Sequence, residues 1–241
     1  LRFSKEEDFS EWKNRLQIHG LDLRHSPSVE MFARYLLAAE ERLDFLINNA
    51  AQTVRKPPGF YQHLMEWETK PFHDLPAEFK PLLDAHENCK KTLEAKLLPL
   101  NEGALGNILS PAPYPSWPSP TGRDCPSEAP LAPYPNWPGK SPAIGLRASA
   151  WLSMIPYNFE EEVRADRPGL PAPEVFPADK LDQDLQQVDL RQMNSWRLAL
   201  AEVSTPEMLE VHLVNAVAPF ILASKLKPLM LKHPTGDKHI V

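Results

Sequence analysis

Proline sets the strongest limit on what this chain can fold into. Of 241 residues 27 are Pro, about twice the usual share of roughly 5%. They are unevenly spread: residues 52–203 carry 22, residues 1–51 carry only Pro27, and 204–241 carry Pro206, Pro219, Pro228 and Pro234. Proline fixes φ and donates no hydrogen bond, so it is excluded from most helix interiors and from central strands. The sequence therefore divides into three parts. Residues 1–51 and 204–241 read as ordinary α/β sequence, and 52–203 as a proline-rich insertion between them, irregular and partly helical.

The first part has the order strand, helix, strand. Leu16–Leu23 alternates loosely and ends near a charge, as a strand does. Ser26-Pro27 supplies a helix cap and a first-turn proline. Val29, Phe32, Ala33, Leu36 and Leu37 then follow at the spacing of an amphipathic helix. Leu43-Asp44-Phe45-Leu46-Ile47 is a mostly apolar run, predicted to be a buried parallel strand. Such an order in about 35 residues suits a βαβ unit.

The last part opens with Ser204-Thr205-Pro206-Glu207, a cap, a proline and an acid placed as a helix start requires. An apolar helix is predicted to run to about Met230, and Lys238-His239-Ile240-Val241 opens a further strand. Within the insertion, Phe60–Trp67 and Pro81–Leu98 are predicted to be helical, as are parts of 158–203 around Leu181–Val188 and Met193–Val203. Residues 111–142 hold a repeat: Ala112-Pro-Tyr-Pro-Ser-Trp-Pro118 recurs as Ala132-Pro-Tyr-Pro-Asn-Trp-Pro138.

Composition excludes several classes. An apolar content of 42% excludes a wholly disordered chain. A net charge of −6 argues against a partner held through phosphate neutralisation, so no nucleic acid is expected. No run approaches about 18 apolar residues, so no membrane span is expected. Two cysteines, Cys89 and Cys125, are too few for a disulfide framework and suit free thiols in the cytoplasm. His63 and Glu66 have a pairing spacing but no third ligand, so no metal is expected.

Three features are placed to meet a ligand. Asn48-Asn49-Ala50-Ala51 follows an apolar strand, and ligands of open α/β sheets bind at the carboxyl ends of strands. Asp22 ends the earlier strand in the same way. Each also suits a plain turn. In the C-terminal helix, Pro219 has no N–H and crowds the carbonyl of Asn215 four residues back. The helix is predicted to kink there and to leave that carbonyl free for a water or another donor.

Together these features resemble the short-chain dehydrogenase/reductase family: Asp22-Leu23 after one strand, Asn48-Asn49-Ala50 after the next, and Asn215 ahead of Ala218-Pro219-Phe220 in the following helix. Leu16–Ala51 and Pro206–Val241 carry the resemblance. It implies a doubly wound Rossmann-type parallel sheet, an NAD or NADP cofactor and hydride transfer to or from a small carbonyl or alcohol substrate. Asp22 would contact the adenine amine, with Leu23 beside it. Asn48, Asn49 and Ala50 would stabilise the sheet and line the cofactor ribose, and Asn215 would be the catalytic asparagine whose main-chain carbonyl holds a relay water. A homo-oligomer is implied through the C-terminal helix.

The departures are as informative. Ala51 stands where the family usually has Gly, no glycine-rich phosphate loop occurs, and none of the five tyrosines has Lys four residues on. In the order 3-2-1-4-5-6 the strands at 16–23 and 43–48 are third and fourth, and so not neighbours. The expectation is an internal piece of such an enzyme, with a broken sheet and no activity by itself. The alternative is a non-catalytic interaction module that displays the two proline-aromatic repeats as polyproline ligands.

Overall fold

A computed structural model of the chain describes residues 5–101, 143–155, 175–183, 186–191 and 195–241. In chain order it forms α1 (Phe9–Trp12), α2 (Ser26–Ala39), β1 (Phe45–Leu46), α3 (Pro58–Tyr61), α4 (Met65–Glu68), α5 (Lys80–Asn101), α6 (Ile144–Arg147) and α7 (Ser149–Leu152). Then come α8 (Thr205–His212), α9 (Ala218–Leu231) and β2 (His239–Ile240), with a π-helical turn, Leu213–Val217, joining α8 to α9. The proline-aromatic repeats lie outside the described residues.

The helix α2 forms where its apolar spacing predicts. His25 rather than Ser26 caps it, the imidazole accepting from Ser28 N–H, and Pro27 sits in the first turn. Its inner stripe, Val29 and Ala33, is fully buried. Val29 packs with Ala218 and Ile221 of α9, flanked by Leu21, Leu23 and Leu222. A second core joins Cys89 and Leu93 of α5 to Leu146 of α6, with Leu21, Met31, Phe32 and Tyr35 against it. Leu21 belongs to both, so the insertion helices share one interior with the two ends of the chain.

The strand expected over Leu16–Leu23 does not form. The segment is extended at its start, but its N–H groups bond to the insertion: Ile18 to Leu82 C=O at 2.8 Å and Asp22 to Gly145 C=O at 2.8 Å. A ladder needs a neighbouring strand that offers donors and acceptors at every second residue. Here two separate helical turns offer one carbonyl each.

The contact at Gly145 is close. Its N–H donates to Ser28 Oγ at 2.9 Å, and a Cβ built on it would stand 2.9 Å from both Ser28 Cβ and Ser28 Oγ.

A two-stranded parallel sheet is present, β1 beside β2, with Phe45 opposite His239 and Leu46 opposite Ile240. His239 N–H donates to Asp44 C=O, Val241 N–H to Leu46 C=O and Asn48 N–H to Val241 C=O, at 2.7–2.9 Å. The run at 43–47 was expected to be buried. Instead Phe45 is 59% and Ile47 66% exposed, because no third strand or covering helix meets that face among the described residues. The architecture is thus mixed helical with two parallel strands, and the described residues do not form a doubly wound sheet.

The C-terminal helix runs over 27 residues from Thr205 to Leu231. Ser204 caps it, Oγ accepting from Glu207 N–H. At Pro219 the predicted kink takes the form of a wide turn, in which Ala218 N–H reaches back five residues to Leu213 C=O. One inserted residue resolves the clash of the proline ring with the preceding turn. One correction concerns the membrane: this helix is long and apolar enough, by length and composition alone, to cross one, with an 18-residue window of mean hydropathy 1.3. A long window of moderate hydropathy satisfies that criterion without an unbroken apolar run.

Helices form at Pro58–Glu68 and Lys80–Asn101 as expected. The helix expected around Leu181–Val188 does not. Leu181 and Gln187 form an antiparallel bridge, and Asp182 takes Gln186 N–H on its side chain at 2.9 Å, the local bond by which Asp competes with helix. Ser195–Glu202 contributes only short 3-10 turns.

Candidate functional site

A cavity of about 350 Å³ opens between the segment Leu21–Arg24, the start of the insertion and helix α8. Its walls mix apolar groups (Leu21, Leu23, Leu64, Met65) with polar ones (Tyr61, Ser149, Ser153) and a set of charges. The volume lies near the lower end of the range of about 300 to 1,000 Å³ that suits small ligands.

The charges are tightly paired. Arg24 donates to Asp22 through Nε and Nη2 at 2.9 and 2.6 Å, to Glu210 Oε1 through Nη1 at 2.8 Å and to Ser153 Oγ at 3.1 Å. Arg24 N–H adds a further bond to Asp22 Oδ1 at 2.9 Å. Burial alone would lower the Arg24 pKa, but the hydrogen bonds and charges of Asp22 and Glu210 outweigh it and hold the group above its ordinary value. Glu210 is 3% exposed, accepts from Gln52 Nε2 at 3.1 Å and forms an ion pair with Arg55, whose Nε lies 3.5 Å away. Arg55 N–H donates to Glu207 Oε1 at 2.9 Å. Burial pushes the Tyr61 phenol up. Such a network fixes the walls, since leaving one member unpaired in a low dielectric is costly.

Asn215 reaches this region through Gln52. Gln52 N–H donates to Asn215 Oδ1 and Asn215 Nδ2 donates to Gln52 C=O, both at 2.8 Å. Gln52 and Val214 both line the cavity.

Of the residues singled out in the sequence, Asp22 and Leu23 line the cavity, and Asn215 stands one contact behind its wall. Asn48, Asn49 and Ala50 do not enter it. Asn48 turns its side chain to Val241 C=O at 3.3 Å, and Asn49 and Ala50 are exposed.

Arg24, Gln52, Arg55, Ser153 and Glu210 carry the site and were not singled out. A signal for Glu210 existed: Glu207, Glu210, Val214, Ala218 and Ile221 follow helical spacing, so both acids lie on the buried stripe. Tyr61 lines the cavity as well.

A dinucleotide fits these residues only in part. The apolar walls and hydroxyls suit a nucleoside-sized body. Asp22 does not suit an adenine amine, because both its oxygens are occupied by Arg24. No hydride-transfer geometry follows from the residues present. Among the described residues no group of three His, Cys, Asp or Glu is arranged to hold a metal ion.

No family model matches the chain, and neither a curated protein nor a solved structure is similar to it.

Proposed function

We propose that the chain is part of an NAD- or NADP-dependent short-chain oxidoreductase that transfers a hydride between the nicotinamide and a small carbonyl or alcohol substrate. One observation carries the reading: the Asn215 amide bonds the backbone directly after Asn48-Asn49-Ala50-Ala51. Gln52 and Asn215, 163 residues apart in sequence, are thereby in contact, and the end of one motif of the resemblance lies next to the other. The parallel pairing of β1 with β2 supports it too, because the fourth and fifth strands of a doubly wound sheet are neighbours.

On this reading Asp22 and Leu23 sit on the adenosine side of the cofactor, and Asn48, Asn49 and Ala50 beside its ribose. Asn215 holds the relay water on its main-chain carbonyl, which Pro219 cannot bond. Use of Asp22 requires Arg24 to release it and keep its bond to Glu210. The phosphate loop and the Ser, Tyr and Lys of such enzymes are supplied from outside this sequence. The enzyme works in the cytoplasm, without nucleic acid, as a homo-oligomer.

The test is an assay of the full gene product with NADH and NADPH against a panel of aldehydes and ketones. Coenzyme oxidation is expected, and Asn215→Ala is expected to lower kcat by roughly a hundredfold, the usual weight of a proton-transfer step. A folded gene product that binds neither coenzyme, or an Asn215→Ala variant with full turnover, overturns the reading.

A further inference from the structure

The site above makes no use of two imidazoles in the second core. His19 lies on the segment that continues into the cavity wall, and His86 lies on α5. Their ring centroids are 5.7 Å apart and the rings meet edge to face. Phe32 and Tyr35 of α2 close over His19, with centroids at 5.0 and 6.3 Å. Both nitrogens of His19 and Nδ1 of His86 are buried without a hydrogen-bond partner. The His86 ring also packs on Gly20, where a Cβ would come within 3.7 Å of its Nε2 and within 3.3 Å of Ser149 Oγ on α7. Ile18 N–H bonds Leu82 C=O one turn earlier on α5.

We propose that His19 and His86 form a proton-operated latch: as a neutral pair they hold α5 and α7 against the segment 18–24, and protonation of either releases that contact and opens the cavity wall.

The physical basis is that, among the described residues, no acceptor bonds His19 or Nδ1 of His86, and burial outweighs the two carboxylates, Glu40 and Glu87, that favour a charge there. Two imidazolium ions in edge contact repel, and a charge on His19 would lie half-buried with no acceptor on either nitrogen. The titratable and charged neighbours are few. From α2 come Tyr35 and Glu40; from α5 come Glu87, Cys89 and Lys90; α7 presents only the Ser149 hydroxyl. Burial lowers His19, with Glu40 opposing. Burial lowers His86 to about 4, with Lys90 and His19 adding to the shift and Glu87 opposing it. The latched form therefore binds fewer protons than the open form between the ordinary 6.5 and about 4. The latch is fully closed above that window and weakens as pH falls through it.

Cys89, fully buried in the same core, reports the opening. In a Cys125→Ser background it is the sole thiol, and 4,4′-dithiodipyridine reacts with thiols in acid as well as at neutral pH. Relative to a free model thiol, Cys89 labelling is expected to rise at least about tenfold (~1.4 kcal/mol of opening) from pH 7 to 4.5, with most far-UV ellipticity kept. His19→Phe with His86→Leu should abolish that rise.

A pH-independent labelling rate overturns the latch. So does the same rise in the double variant, or global loss of ellipticity over the same range. If the double variant is already labelled at pH 7, the histidine Cε1–H resonances of the unaltered protein decide: midpoints well below 6.5 for His19 and His86 support the latch, and midpoints at 6.5 overturn it.

Discussion

Asn215 and Gln52 bind each other in both directions, amide to backbone, each bond 2.8 Å long. A side chain of the wide helical turn thus acts as a short stretch of strand. It satisfies the one donor and the one acceptor of a residue that has left β1 and has no ladder of its own.

Replacing Asn215 with Ala removes both bonds at a position the helix presents to solvent. The expected loss is about 1 to 2 kcal/mol in urea unfolding, the net worth of two ordinary hydrogen bonds. Asn215→Asp keeps the acceptor but points a carboxylate oxygen at the Gln52 carbonyl, and should be no better than Ala. An Asn215→Asp variant as stable as the parent protein would show that the contact carries little weight.

Glu210 should matter more. It is buried and receives Arg24, Gln52 and Arg55 together. Glu210→Leu leaves the two guanidinium groups and the Gln52 amide short of a partner, at a cost of about 3 kcal/mol. Glu210→Gln keeps one acceptor and should cost less. Denaturant midpoints of the two variants provide the comparison, and equal midpoints would contradict a charge-based role.

Gly145→Ala would drive a methyl to 2.9 Å from Ser28 and 3.0 Å from His25 Cβ. Overpacking of this kind costs about 1 to 3 kcal/mol. Ser28→Ala in the same chain leaves the Ser28 Cβ contact in place, so Ser28→Gly should ease the clash more, with the His25 Cβ contact remaining and at its own cost in α2. Thermal midpoints of the two double variants discriminate between them.

Acid should weaken the contact between Lys56 and Asp189, which ties the start of the insertion to its end. Burial alone would raise the Asp189 pKa, but hydrogen bonds from Arg191, with Lys56 assisting, outweigh it and bring it to about 2 from an ordinary 3.8. Since the folded value is the lower one, this pair stabilises the protein above about pH 4, and the contribution is lost as pH falls from there towards 2. Asp189→Asn should flatten stability against pH in that window and leave the slope above pH 4 unchanged.

Phe220 is 71% exposed on α9. Phe220→Lys should therefore shift stability by less than about 0.5 kcal/mol, while lowering any concentration-dependent self-association seen by sedimentation. A large loss of stability would mean that the side chain is covered in solution.

The local features of this chain were legible because local rules govern them. The stripe Val29–Ala33 fixes α2, Ser204 fixes the start of α8, and Pro219 marks the turn at Asn215. The register of β1 with β2 was not readable from so few residues, although both strand positions were. The strand at 16–23 failed for a non-local reason, since its partners, Leu82 and Gly145, lie in the insertion. The cavity was only half visible. Asp22 and Leu23 carried a recognisable pattern, but Arg24 and Glu210 acquire their roles from pairing across the fold. The period of the C-terminal helix marks Glu210 as buried, and nothing in the sequence names Arg24 as its partner.

The borrowed hydrogen bonds of residues 18 and 22 also bear on how the protein is made. During synthesis this segment leaves the ribosome well before the carbonyls of Leu82 and Gly145 exist, and closing such long loops has an entropic cost that precedes any reward. The first part of the chain must wait, with Leu21 uncovered, for sequence that looks dispensable. Deleting the insertion to obtain a smaller domain would remove the partners on which that early segment depends, and an aggregated product is the expected result.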